Sequence, residues 1–286
     1  MNKLNNSKEN KWTEIIEPQS SLLNLDLKEV WRYRDLLLLL VKRDFVTYFK
    51  QTILGPIWFF VNPIFTTVIY TLVFGNIAGL STNGAPKVVF YLSGVVMWNY
   101  FSTSLTQTST VFTVNAPIFG KVYFPRLIMP LAIIVSNLMQ FGIQFLLFLV
   151  IVIYYTFQGE VHPNIFVLLT PFLVVLMAAF ALGVGMIFSS MTTKYKDMTM
   201  LLTFGIQLFM YATPVIYPLS TINDKYKYLV EMNPLTAIIE NFRYAFLGVG
   251  SFDIGGLGYS FIIIIGLLAV GTIIFNRVQK DFMDTI

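Results

Sequence analysis

The chain has 286 residues, of which 56% are hydrophobic and only 12% charged, with a formal net charge of +4. An ordinary soluble domain is roughly 25% charged, and it could not hide this much apolar surface from water, so composition points to a chain that faces lipid. The lack of cysteine excludes disulfides, thiolate metal sites and a cysteine nucleophile, and the single histidine, His162, excludes a multi-histidine metal centre within one chain.

Residues 1–25 read as a disordered cytoplasmic tail, because polar residues dominate the start and no long apolar core of a secretory signal is present. Residues 26–50 read as an amphipathic helix lying in the cytoplasmic interface. The apolar run Leu36–Val41 is too short to span and is closely flanked by charge. Leu27, Val30, Trp31, Leu37, Leu38, Val41 and Phe45 share one arc, opposite Lys28, Glu29, Arg32, Asp35, Lys42 and Arg43. Arg34 projects from the apolar arc. It either snorkels to lipid phosphates or meets a buried partner or a substrate phosphate.

Asp, Glu, Lys and Arg are absent from six windows: 51–86, 88–120, 127–159, 161–193, 198–223 and 254–276. Each has room for one crossing of about 20 residues. The fold expected is therefore an all-α membrane protein, with a transmembrane region over 51–286. Its six spans fall near 54–77, 88–112, 129–155, 165–189, 199–217 and 257–276. Pro63 predicts a kink in the first span. The second span ends in the polar run Ser102–Thr110, which is expected to face other helices or an aqueous path. With both termini in the cytoplasm, fifteen of the nineteen Lys and Arg residues fall on the inner side, as the positive-inside rule requires.

The outer segment 218–250 carries its own helix signals. Asn233 suits an N-cap, Pro234 the first helical position and Gly248 the end. Leu235, Ile238, Ile239, Phe242 and Phe246 form an apolar stripe, yet fourteen residues reach only about 21 Å. A short re-entrant or surface-lying helix is expected here. Glu240 stands three residues before Arg243 and four before Tyr244, as a structural pair or part of a gate.

No P-loop occurs, no carboxylate pair lies within a span, and no Asp, Glu, Lys or Arg sits at mid-depth. The chain is thus expected to be neither an enzyme nor an ion-coupled carrier, and its energy is expected to come from another chain.

Several motifs then stand in order: Arg34-Asp35-Leu36, Arg43-Asp44, Tyr48-Phe49-Lys50-Gln51-Thr52-Ile53-Leu54-Gly55-Pro56-Ile57-Trp58, Tyr123-Phe124-Pro125-Arg126, Thr213-Pro214-Val215-Ile216-Tyr217-Pro218, and Asn233-Pro234-Leu235 through Phe242-Arg243. From about residue 22 onward the chain resembles ABC-2-type permeases, in the branch that exports O antigen, capsule or teichoic acid. Lys50 departs from the arginine expected at that place, which keeps charge but not bidentate geometry.

The resemblance implies a homodimer in the bacterial cytoplasmic membrane. Its partners would be two ABC ATPase subunits holding ATP and Mg, with or without a C-terminal carbohydrate-binding domain. The cargo would be a glycan on a polyprenyl diphosphate, and neither a metal nor a nucleic acid is expected on this chain. The headgroup would enter near Arg34, Lys50, Leu54, Gly55 and Trp58. Lys121, Tyr123, Phe124 and Arg126 would meet the ATPase. Pro218, Asn233, Pro234, Glu240, Arg243 and Tyr244 would belong to the outer gate, a segment expected to line the exit and to shift during transport on Gly248 and Gly250. Tyr70, Phe74, Tyr211 and Tyr217 are candidate channel aromatics on which sugars stack; packing and interface marking are the other roles open to them. A different cargo on the same machine is the main rival reading.

Overall fold

In the computed structural model, residues 27–50, 55–119, 121 and 124–282 are described, and every regular element among them is helical. The segment expected at the interface is two helices, α1 (Leu27–Arg32) and α2 (Arg34–Lys50), with a turn at Tyr33. Backbone bonding continues through the turn, from Tyr33 N to Glu29 O and from Leu37 N to Tyr33 O, both at 3.1 Å. The segment also has two apolar faces rather than one. Leu40 and Val41 are buried against a cluster that includes Ile128 and Met129, while Trp31, Leu38 and Leu39 are exposed. One face therefore holds the helix on the protein and the other is open, as lipid contact requires.

A 3-10 turn (Gly55–Ile57) leads into α3 (Trp58–Tyr70), which runs through Pro63 and continues as a π-helical stretch, Thr71–Ile77. Then follow α4 (Lys87–Ser109), the short α5 (Val111–Phe119), α6 (Ile128–Phe157), and α7 (Thr170–Lys194), which is preceded by a 3-10 segment at Ile165–Leu169. The chain ends in α8 (Asp197–Tyr211), α9 (Asp224–Glu231), α10 (Pro234–Leu247) and α11 (Ile254–Phe282). Among the described residues, four helical stretches are long and apolar enough to cross a membrane: 58–77, 128–157, 165–194 and 254–278. Helix α4 is long, but its second half is rich in Ser, Thr and Gln.

Helix α8 differs from the span expected at 199–217. It stops at Tyr211 after 15 residues, which is about 22 Å. The cause is local. Pro214 offers no N–H and crowds the preceding residue out of helical conformation, so the backbone turns at Thr213.

The bundle packs most closely where α7 crosses α11. A Cβ on Gly271 would collide with the carbonyl oxygen of Gly183, so glycine at both places lets the two backbones approach. At the other end of the core, α10 does not lie on a surface. All five residues of its stripe are at most 2% exposed, and Asn241 and Arg243 on its other side are 1% exposed. Phe242 and Phe246 pack on Phe148 of α6 with ring centroids 5.4 and 5.2 Å away. The polar side can be buried because it is satisfied: Asn241 Nδ2 donates to the carbonyls of Ala237 and Asp253, and Asp253 N donates back to Asn241 Oδ1.

Candidate functional site: a polar groove with an outer cap

A groove of about 490 Å³ opens between α4 and α8. Helix α4 contributes Trp98, Ser102, Thr103, Thr106 and Gln107; α8 contributes Thr203, Ile206, Gln207, Met210 and Tyr211. Trp98, Ser102 and Thr106 recur every four residues, as do Thr203, Gln207 and Tyr211, so each trio forms a stripe along one helix face. The lining carries no formal charge. Three of its hydroxyls bond within their own helices: Ser102 Oγ donates to Asn99 O, Thr106 Oγ1 to Ser102 O and Thr203 Oγ1 to Thr199 O. Behind it, Asn137 of α6 donates to Gln107 Oε1 at 3.0 Å and holds that amide.

The aromatics singled out from sequence lie at different depths around this groove. Tyr211 lines it and is 57% exposed. The Tyr70 hydroxyl reaches Met210 Sδ at 3.3 Å, placing it at the groove edge, with Phe74 edge-on behind it at 5.5 Å. Tyr217 turns back so that its hydroxyl donates to Tyr211 O at 2.8 Å. Sequence reasoning missed Trp98, Thr203 and Gln207. The recurring polar positions on α8 were a usable signal, but uncharged polar residues do not interrupt an apolar window.

The Tyr211 end of the groove is capped by α10. Arg243 Nη1 donates to Pro214 O at 2.5 Å and to Tyr217 O at 3.4 Å, and Nη2 donates to Val215 O at 2.5 Å. Nε donates to Ser93 Oγ of α4 at 3.3 Å, and the guanidinium lies 3.9 Å from the Phe90 ring centroid. Glu240 pairs with Nη1 at 3.2 Å. Burial pushes the Glu240 carboxyl above its ordinary range, and the neighbouring guanidinium works against that shift. Gly94 makes room for the arrangement, since a Cβ there would lie 2.6 Å from Val215 O and 2.8 Å from Arg243 Nη2. Asn233, whose Oδ1 accepts from Leu235 N as the helix cap, donates through Nδ2 to Thr213 Oγ1 and Ala212 O. Pro218 and Pro234 are buried beside this network, and Tyr244 faces the other way, toward Phe166 and Phe252.

Around α2 and the loop between α5 and α6 the candidate residues are more dispersed. Arg34 is exposed, 4.0 Å from Asp35 and near the Trp31 ring; Lys50 is exposed at the far end of α2. Sixteen residues of helix put them about 24 Å apart, so a single headgroup does not span both. Gly55 has a left-handed φ of 48° with open space around it, and Trp58 is half exposed. Leu54 and Tyr123 lie outside the described residues. Phe124 and Arg126 are turned inward, 6% and 7% exposed, with Phe124 against Phe119 at 5.7 Å and Arg126 5.5 Å from the same ring. Among the described residues of this loop, Thr113, Val114, Pro117 and Lys121 are exposed.

Residues 35–247 match the model of the ABC-2 type transporter family. The chain is 29% identical over 256 residues to the O-antigen export system permease protein RfbA of Klebsiella pneumoniae, covering 87% of this chain and 94% of that protein. It is 27% identical over 262 residues to the protein of the same name from Myxococcus xanthus, covering 91% and 98%. To the inner membrane transport permease YadH of Escherichia coli K12 it is 25% identical over 234 residues, covering 77% and 87%. The family match runs from α2 to the end of α10 and takes in helices long and apolar enough to cross a bilayer, so this chain is a multi-pass membrane protein that belongs to the ABC-2 type transporter family.

Proposed function

We propose that this chain is the permease subunit of an ATP-driven exporter that carries an O-antigen-like polysaccharide, attached to a polyprenyl diphosphate, across the bacterial inner membrane. The observation that carries this reading is the groove. Its uncharged hydroxyl and amide lining, with the open ring of Tyr211 at one end, suits hydrated sugars. Sugars exchange hydrogen bonds readily and stack their apolar faces on aromatic rings. Two relatives are named for O-antigen export, which supports the same cargo.

In this reading α4, and α8 with its following turn, complete six spans, and both termini are cytoplasmic. The groove of one chain closes against that of a second copy across exposed Met200, Phe204 and Leu208. Two ABC ATPases bind ATP and Mg and dock at the 113–128 loop, with or without a sugar-binding domain of their own. Arg34 or the Lys50–Trp58 region receives the lipid headgroup, and the chain itself catalyses nothing.

The reading is tested by deleting the gene in its own strain and following lipid-linked glycan. Accumulation on the cytoplasmic face with loss of surface glycan, fully reversed by the wild-type gene and only in part by Tyr211→Ala, is the expected result. Unchanged surface glycan refutes it. The likeness to YadH, whose name specifies no cargo, favours a second reading in which another molecule uses the same path.

A further inference from the structure

Helix α8 ends at the exposed Tyr211 and runs straight into a buried turn, Thr213–Ile216, where the carbonyls that a helix end and a turn leave open need partners within the protein. The partners of those carbonyls can be counted one by one. Leu208 O accepts from Ala212 N, and Met210 O from Thr213 N. Phe209 O accepts from Thr213 Oγ1, and Tyr211 O from the Tyr217 hydroxyl. Thr213 O accepts from Val215 N. Ala212 O goes to Asn233, and Pro214 O and Val215 O go to Arg243. No carbonyl from Leu208 to Val215 is left over, and three of the eight are held by side chains of the α10 segment. The same guanidinium reaches Ser93 and Phe90 on α4. One fully buried side chain thus touches the outer continuation of both groove walls.

We propose that Arg243, assisted by Asn233, is a positioning residue that fixes α4 and α8 at one separation at their outer ends. The outer exit then opens by displacing whole chains relative to each other, not by parting the two walls within a chain. This rests on the groove being the export path. It also revises the expectation that α10 swings by itself on Gly248 and Gly250: its bonds to the α8 turn and to α4 make the three move together.

The exposed surface offers a test that leaves Arg243 in place. Ser220, just after the α8 turn, donates through Oγ to Asn83 Oδ1, just before α4, at 2.6 Å. Asn83→Cys and Ser220→Cys, in a chain that is otherwise free of cysteine, can be joined within one chain by a short bis-thiol reagent in the assembled transporter. The expected result is equal cross-linking without nucleotide, with ATP trapped and during turnover, and glycan export undiminished after cross-linking. A fall in cross-linking on ATP binding, or loss of export on cross-linking, overturns the proposal. Adding Arg243→Lys, which keeps the charge but cannot reach three carbonyls, is expected to make the yield depend on nucleotide in the protein that reaches the membrane; a yield that stays constant removes Arg243 from the role. The cross-linking yield does not depend on the cargo, so an error in the glycan reading would show in the export assay and leave this measurement standing.

Discussion

The outer cap and the groove below it are both built around polar side chains, and they use them in opposite ways. In the cap, Asn233, Asn241 and Arg243 are nearly inaccessible, and each bonds to backbone far away in sequence. In the groove, Ser102, Thr106 and Thr203 bond to carbonyls of their own helices and stand at the surface. A buried polar group must be paired where it lies, so the cap's polar atoms specify shape. A locally satisfied hydroxyl on an open face retains lone pairs for passing partners. Polarity inside a membrane protein therefore does not mark a transport path by itself; the reach of the bond and the exposure decide.

The largest break in this contrast is Arg243→Met. It leaves the Pro214 and Val215 carbonyls and Glu240 buried without their partner, and losing one member of a buried charge pair costs about 3–5 kcal/mol. Thermal unfolding in detergent is expected to show a destabilised chain with reduced yield from membranes. Next comes a pair of glycines. Gly94→Ala drives a methyl into Val215 O and Arg243, and overpacking of this kind costs about 1–3 kcal/mol. Gly205→Ala lies on the groove-side helix α8 with nothing within 4 Å, and removing a helix-interior glycine is worth about 0.5–1 kcal/mol of stability. Opposite signs for these two substitutions would sharpen the distinction; equal destabilisation would erase it.

Much of the helical framework is legible in the sequence, because charge cannot be placed cheaply in lipid. The charge-free windows place a helix near 129–155, and α6 runs Ile128–Phe157. Asn233, Pro234 and Gly248 bound α10 at both ends, with Gly248 at a φ of 69°. Its enclosure is not legible, since an amphipathic stripe says nothing about what covers the opposite side. The partners of Arg243 are mostly carbonyl oxygens, which belong to every residue and leave no trace in a sequence. Phe124 shows the same limit from the other side: an aromatic in a charged, proline-bounded loop reads as a surface anchor, yet it packs against Phe119. Val114, 70% exposed on α5, gives no signal beyond being apolar.

Tyr211→Ala tests the groove side of the comparison with an intermediate effect. The ring is more than half exposed, so little packing is lost and the unfolding temperature is expected to hold. Base or sugar stacking on an aromatic face is worth about 1–3 kcal/mol per contact by analogy with nucleic-acid stacking, and export measured as surface glycan is expected to fall severalfold. A drop in stability with export intact would move Tyr211 from the path into the scaffold, where Tyr217 already holds its carbonyl.

The smallest expected effect is the most discriminating about how the groove works. Thr203→Val keeps the shape of the side chain and removes only Oγ1, which bonds to Thr199 O within α8. That carbonyl also lies in the helix ladder, so stability is expected to be almost unchanged. A net hydrogen bond is worth about 0.5–1.5 kcal/mol, but a moving chain shares its contacts among Ser102, Thr103, Thr106, Thr203 and Gln207. No one register depends on a single hydroxyl, so export is expected to change less than it does for Tyr211→Ala. Replacing Thr203 and Gln207 together by Val and Leu removes two steps of the α8 stripe, and that pair is expected to slow export more than the sum of the singles. If Thr203→Val alone stops transport, the groove holds its cargo in one fixed register, as a binding site does, and sliding over interchangeable weak contacts is the wrong description of it.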